Sequence, residues 1–132
     1  MSKSMRSMRT PMGRVRNLGA SGEGTGHFIA QRVSAIALLL LATWFVIAAA
    51  LTMPAPTYVA AIDFLTVPLN AVGVVLLVAA ALYHMQLGMQ VVIEDYLQKP
   101  LGKMLTLLLN LFVPLALGVG ALFALLLVNF GA

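Results

Sequence analysis

Three stretches of this chain carry no Asp, Glu, Lys or Arg: Val33–Ile62, Phe64–Ile93 and Met104–Ala132. A helix needs roughly 20 apolar residues to cross the hydrocarbon of a bilayer, so each stretch holds one span. In lipid every backbone polar group must be satisfied internally, which leaves only helices and closed barrels. The apolar residues are continuous rather than alternating, so the spans are helices. The chain is 61% hydrophobic and 9% charged, where a soluble domain carries about 25% charged residues. It could not cover a globular core with polar surface. The expected fold is an all-α membrane protein, with spans near Val33–Met53, Leu69–Ile93 and Met104–Val128.

The charges are one-sided. Lys3, Arg6, Arg9, Arg14, Arg16 and Arg32 precede the first span, and Lys99 and Lys103 lie between the second and third. The loop from Pro54 to Pro68 has no basic residue, nor has the tail after Val128. The positive-inside rule then puts the N-terminus and the second loop in the cytoplasm, or matrix, and the first loop and C-terminus outside. Two regions follow: a basic inner arm, 1–32, and a three-helix membrane domain, 33–132. The arm reads as an orientation signal and a solvated segment that docks on a partner, rather than as a binder of nucleic acid or lipid headgroups. Gly19, Gly22, Gly24 and Gly26 lack the preceding strand of a phosphate-binding loop and read as a flexible linker. The first apolar stretch is too long for a signal-peptide core and reads as a retained span. Pro54, Pro56 and Pro68 mark the outer loop, Pro100 and Gly102 the inner turn, and Pro114 a kink in the third span.

His84 is the readily titratable group deep in the second stretch. An imidazole in hydrocarbon is costly unless it is paired, hydrogen-bonded or metal-bound. At 1.5 Å rise per residue it lies roughly 15 Å from Glu94, near mid-membrane. Gly88, one turn on, continues its stripe, followed by Val91 and Asp95. A missing side chain beside a buried histidine leaves room for something flat, such as a porphyrin ligated through the imidazole. The same pair also fits a histidine hydrogen-bonded across helices with glycine as a close-packing contact; the residue alone leaves both readings open. The other histidine, His27, lies near the inner interface, some 15 Å from His84 in depth by helix rise. The two are poor candidates to flank one iron, so if His84 holds a haem its second axial ligand comes from another subunit. Tyr96 and Asp95 stand at the inner interface, where a tyrosine is also an ordinary anchor. Arg32 suits bidentate capture of carboxylates. Met85 and Met89 read as flexible packing. With no cysteine, the chain holds no thiolate-ligated iron–sulfur cluster, and electrons must reach it from a partner.

The run His84-Met-Gln-Leu-Gly88-Met-Gln-Val-Val-Ile-Glu-Asp95-Tyr96 resembles the H-x-x-x-G-M-x-x-V-x-x-D-Y signature of the succinate dehydrogenase (complex II) hydrophobic membrane anchor family. Residues Gly26–Ile36 resemble the H-x-F-x-x-x-R-x-x-A-I pattern that opens that family's first span. The lead-in Arg9–Gly19 is similar to its alphaproteobacterial branch. The resemblance covers most of residues 9–104, and the third span is generic apolar helix. It implies an inner-membrane anchor that works beside a second hydrophobic anchor protein, an iron–sulfur subunit and a flavoprotein. Together these serve succinate oxidation and ubiquinone reduction. It implies a haem b shared with the second anchor, with His84 as one axial ligand, Arg32 near the haem propionates, and Tyr96 and Asp95 in the quinone site. The chain departs from the enterobacterial pattern in having Gly26 two residues before Phe28, with the histidine shifted by one to His27.

The expectation is therefore half of a shared helical bundle, N-terminus inside and C-terminus outside, catalysing nothing alone. Two alternatives stand beside it: the anchor of a quinol:fumarate reductase, and a haem-free small transporter or assembly protein.

Overall fold

The structure is a computed structural model that describes residue 12 and residues 21–131. Lys3, Arg6, Arg9, Arg14, Arg16 and Gly19 lie outside the described residues. Four helices follow in order: α1 (Ser21–Thr52), α2 (Tyr58–Thr66), α3 (Pro68–Tyr96) and α4 (Pro100–Phe130). The three long ones, α1, α3 and α4, are each long and apolar enough to cross a membrane.

Prolines punctuate the chain. The residue before a proline is pushed out of the helical region, while proline itself suits the first helical position. Val67 (φ −73°, ψ 119°) and Lys99 (φ −73°, ψ 121°) are extended, and Pro68 and Pro100 open α3 and α4. Met53 stands before Pro54, one residue past the end of α1. The chain ends α4 at Gly131, whose φ of 64° is the left-handed conformation that only glycine takes without a Cβ penalty.

Two elements differ from the sequence expectation. The first helix starts at Ser21, not Val33, so Gly24 and Gly26 are helical rather than a linker. Each glycine costs about 1 kcal/mol of helix propensity, which a long apolar helix continuing beyond them outweighs. The loop between the first and second spans also contains a short helix, α2. Thr57 caps it by accepting the Ala60 N–H at 3.3 Å, and Asn70 of α3 donates to the Phe64 carbonyl at its far end at 3.0 Å. Phe64 meets Phe45 of α1 edge to face, centroids 5.9 Å apart.

The central helix is α3, with α1 packed on one side and α4 on another. Both neighbours run antiparallel to it. Along the α1–α3 seam Gln31 faces Gly88, Ser34 faces His84 and Trp44 faces Gly73. Along α3–α4, Lys103 reaches Glu94, Asn110 reaches Gln86 and Leu82 meets Gly118. Among the described residues the buried apolar side chains are Phe64, Ala71, Leu87, Ile93 and Pro114. Most of the large apolar side chains face outward, which is the expected arrangement when lipid or another membrane chain is the surrounding medium.

Candidate functional site

The α1–α3 seam is built from small residues and polar contacts. A Cβ added at Gly73 would overlap the Trp44 ring, so that glycine is what makes room for the indole against α3. About three turns along α3 toward its C-terminal end the seam turns polar. Ser34 is buried, at 6% exposure, and its Oγ lies 2.9 Å from His84 Nδ1. The same Oγ donates to the Gln31 carbonyl at 3.1 Å. His84 is thus hydrogen-bonded across helices, as one of its two sequence readings required, but through one nitrogen only. Its Nε2 makes no hydrogen bond among the described residues. A cross-helix bond of this kind contributes about 1 kcal/mol in a membrane.

Gly88 turns toward α1. The position a Cβ would take there is 3.5 Å from Gln31 Nε2, so the gap beside His84 is lined by the Gln31 amide. Gln31 Oε1 and His27 Nε2 are both buried and without a partner among the described residues. They stand four residues apart on α1, hence on one face. Buried polar atoms are ordinarily satisfied by protein, water or a bound group. His27 is seven residues from Ser34, roughly 10 Å along the helix, so the two imidazoles are not brought together, though they are nearer in depth than the sequence suggested.

Arg32 lies well inside α1 rather than at its end, because the helix starts at Ser21. Its neighbours Gln31 and Ser34 meet α3 at Gly88 and His84, and its guanidinium reaches one turn back over Phe28, which puts it between the levels of His84 and Asp95. It is exposed, packs over the Phe28 ring at 5.1 Å, and has no carboxylate partner among the described residues.

Asp95 and Tyr96 close α3 on the side where α4 begins. Tyr96 is 81% exposed, Asp95 is exposed, and neither side chain makes a hydrogen bond among the described residues. Helix rise puts them roughly 17 Å from His84. The adjoining Glu94 is engaged instead: Gln90 Nε2 donates to its carboxylate at 2.8 Å, and Lys103 Nζ donates to its carbonyl at 3.3 Å. A cation on the last carbonyls of a helix complements its dipole, so the α3–α4 turn that carries Asp95 and Tyr96 is held in place. Met85 and Met89 are exposed on the outer surface of α3, away from the seam.

Sequence reasoning missed Ser34. Its signal was faint: a hydroxyl in an apolar run, where Thr43 merely bonds back to the Leu39 carbonyl of its own helix. It also missed Gln31, whose amide reaches Gly88.

Residues 6–125 match a family described as the succinate dehydrogenase/fumarate reductase transmembrane subunit. The succinate dehydrogenase hydrophobic membrane anchor subunit of Rickettsia bellii (strain RML369-C) is 33% identical over 89 residues, 67% of this chain and 70% of the relative. That of Rickettsia conorii (strain ATCC VR-613 / Malish 7) is 33% identical over 84 residues, 64% of this chain and 67% of the relative. That of Rickettsia felis (strain ATCC VR-1525 / URRWXCal2) is 39% identical over 77 residues, 58% and 63% of the two chains. No solved structure gives a significant match. The chain belongs to the succinate dehydrogenase/fumarate reductase transmembrane subunit family, among the hydrophobic membrane anchors of alphaproteobacterial type.

Proposed function

We propose that this anchor secures a succinate:ubiquinone oxidoreductase in the bacterial inner membrane and contributes to two sites within it. At mid-membrane His84 is one axial ligand of a haem b, the other coming from a second hydrophobic anchor protein. At the inner face Tyr96 and Asp95 form one wall of the ubiquinone-reduction site. An iron–sulfur subunit and a flavoprotein complete the complex on that side, and the N-terminal arm lies there with them.

The observation that carries this reading is the division of labour on the His84 ring. Nδ1 is held by Ser34, and Nε2 is without a partner among the described residues. A metal-bound histidine has one nitrogen fixed by a protein group and the other left for the metal. The described residues offer no group of three or more His, Cys, Asp or Glu that could hold a metal ion. An iron at His84 therefore needs its remaining ligands from elsewhere, and a porphyrin brings four. Bound haem would supply a one-electron redox centre.

The surrounding residues suit such a group. The Arg32 guanidinium, over Phe28 and between the levels of His84 and Asp95, has no carboxylate partner among the described residues and is available to a propionate. Gly88 leaves the backbone of α3 bare beside the ligand, with only the Gln31 amide over it, and that amide's Oε1 has no hydrogen bond among the described residues to hold it there.

At the quinone wall the Tyr96 phenol donates a hydrogen bond to a quinone carbonyl, an interaction that grows as negative charge builds on that oxygen during reduction. Asp95 beside it orients the charged groups of the pocket. Both residues are at the end of a helix near water, so protons for the reduced quinone travel a short way.

Two experiments test the two sites. In the purified complex, His84→Ala should abolish the reduced-minus-oxidised haem spectrum while His27→Ala keeps it; an unchanged spectrum in His84→Ala would sink the haem assignment. Tyr96→Phe should slow quinone reduction about tenfold, the worth of one hydrogen bond near 1.4 kcal/mol, and leave succinate oxidation by a soluble dye intact. Equal loss of both activities would mean misassembly instead. A fumarate-reducing anchor would show the same haem behaviour with a lower-potential quinone; the relatives' shared succinate dehydrogenase description favours the first direction.

A further inference from the structure

We infer that Ser34 is a positioning residue: it sets the tautomer of His84 so that Nε2 presents a lone pair rather than a proton. The inference rests on the haem reading above.

A neutral imidazole carries one N–H, and which nitrogen bears it is set by the partner of the other. Ser34 Oγ lies between two groups, the Gln31 carbonyl at 3.1 Å and His84 Nδ1 at 2.9 Å. The hydroxyl has a single proton. A carbonyl only accepts, so when that proton goes to Gln31 the contact with Nδ1 is made by an Nδ1–H donating to Oγ. Both of these donors are then satisfied. In the opposite arrangement the hydroxyl donates to Nδ1 and the proton moves to Nε2, where no acceptor stands among the described residues. An orphaned donor in apolar surroundings is the costlier state. The chain Nδ1–H to Ser34 to the Gln31 carbonyl therefore leaves Nε2 as a free base, which is the form that ligates iron.

Ser34 is placed to do this reliably. It is buried, and its hydroxyl is anchored to the carbonyl three residues back on a continuous helix. A hydrogen bond from the Nδ1–H of a ligand also raises its basicity, so its presence favours ferric over ferrous iron.

The test uses the intact membrane complex carrying Ser34→Ala, Ser34→Thr, or His84→Ala. Haem retention and haem midpoint potential are measured for each. Ser34→Ala should weaken haem retention about tenfold and raise the midpoint potential, because Nδ1–H loses its acceptor. Ser34→Thr, which keeps a hydroxyl able to bond the same carbonyl, should restore both. Ser34→Cys, a poor acceptor of similar size, reads the same quantities should the alanine variant fail to assemble. Wild-type potential and retention in Ser34→Ala, or in Ser34→Cys where that substitute is used, would overturn the inference, as would a threonine variant that restores neither. Haem loss in His84→Ala alongside an unaffected Ser34→Ala defeats the Ser34 role alone. An unaltered haem in His84→Ala defeats the haem reading beneath it.

Discussion

The two seams of α3 differ in kind. Against α1 it packs through a glycine under a tryptophan ring and a histidine bonded to a buried serine. Against α4 it packs through leucines, Pro114 and Gly118, around an apolar cleft of about 390 Å³, with Asn110 donating to the Gln86 carbonyl at 2.8 Å as its cross-helix bond within the span. Asn110 stands four residues before Pro114, where the proline has removed the N–H that would have met its carbonyl. The first seam is polar and carries the candidate ligand, and it has a cleft of its own, about 470 Å³, between Ala30, Ser34 and Ala37 of α1 and Ala80 and Tyr83 of α3. The second is apolar, and its polar contacts sit at helix defects and ends. In a membrane, where lipid is as apolar as leucine, helices are specified by close backbone approach and hydrogen bonds rather than by burial of oil. The α1–α3 pair has such a hydrogen bond, beside an indole fitted against a glycine, which is what a site with demanding geometry needs.

Alanine at the two seam glycines should separate them. Gly73→Ala places a methyl inside a rigid indole, and should cost about 1–3 kcal/mol of helix-pair stability, read as a lower Tm of the purified complex and reduced haem content. Gly118→Ala meets only the tip of Leu82, Cδ1 at 3.3 Å, a flexible end that can move by a few tenths of an ångström. Its effect should be within about 0.5 kcal/mol, as for an ordinary tolerated substitution, with haem unchanged. Equal effects at the two positions would mean that the seams are not different in the way described.

The spans are legible in the sequence because charge is so costly in hydrocarbon that its absence marks each one. Pro68 and Pro100 also mark where the second and third spans begin. The start of the first helix is not legible in the same way. Gly22, Gly24 and Gly26 taken locally point to a linker, while the helix continues as one unit past them. The short α2 is hidden although Thr57 before Tyr58 is a capping signal; the surrounding prolines mask it. At the site, His84, Gly88 and Arg32 are visible as residue types, and the helical stripe places His84 and Gly88 on one face. Their partners are not visible. Ser34 and His84 are 50 residues apart in sequence, and no periodicity along one helix says which residue of another will face it. The same limit puts Arg32 at the helix end, when the helix that starts at Ser21 sets it inside the span, its guanidinium between the levels of the histidine and Asp95.

Binding of haem iron by His84 Nε2 is tested most directly by replacing the ligand rather than deleting it. The complex carrying His84→Met, with its subunits intact, should show a shifted reduced haem band and a raised midpoint potential, since a thioether replaces an imidazole, or no haem band at all. A haem spectrum and potential identical to those of the unaltered complex would contradict the claim.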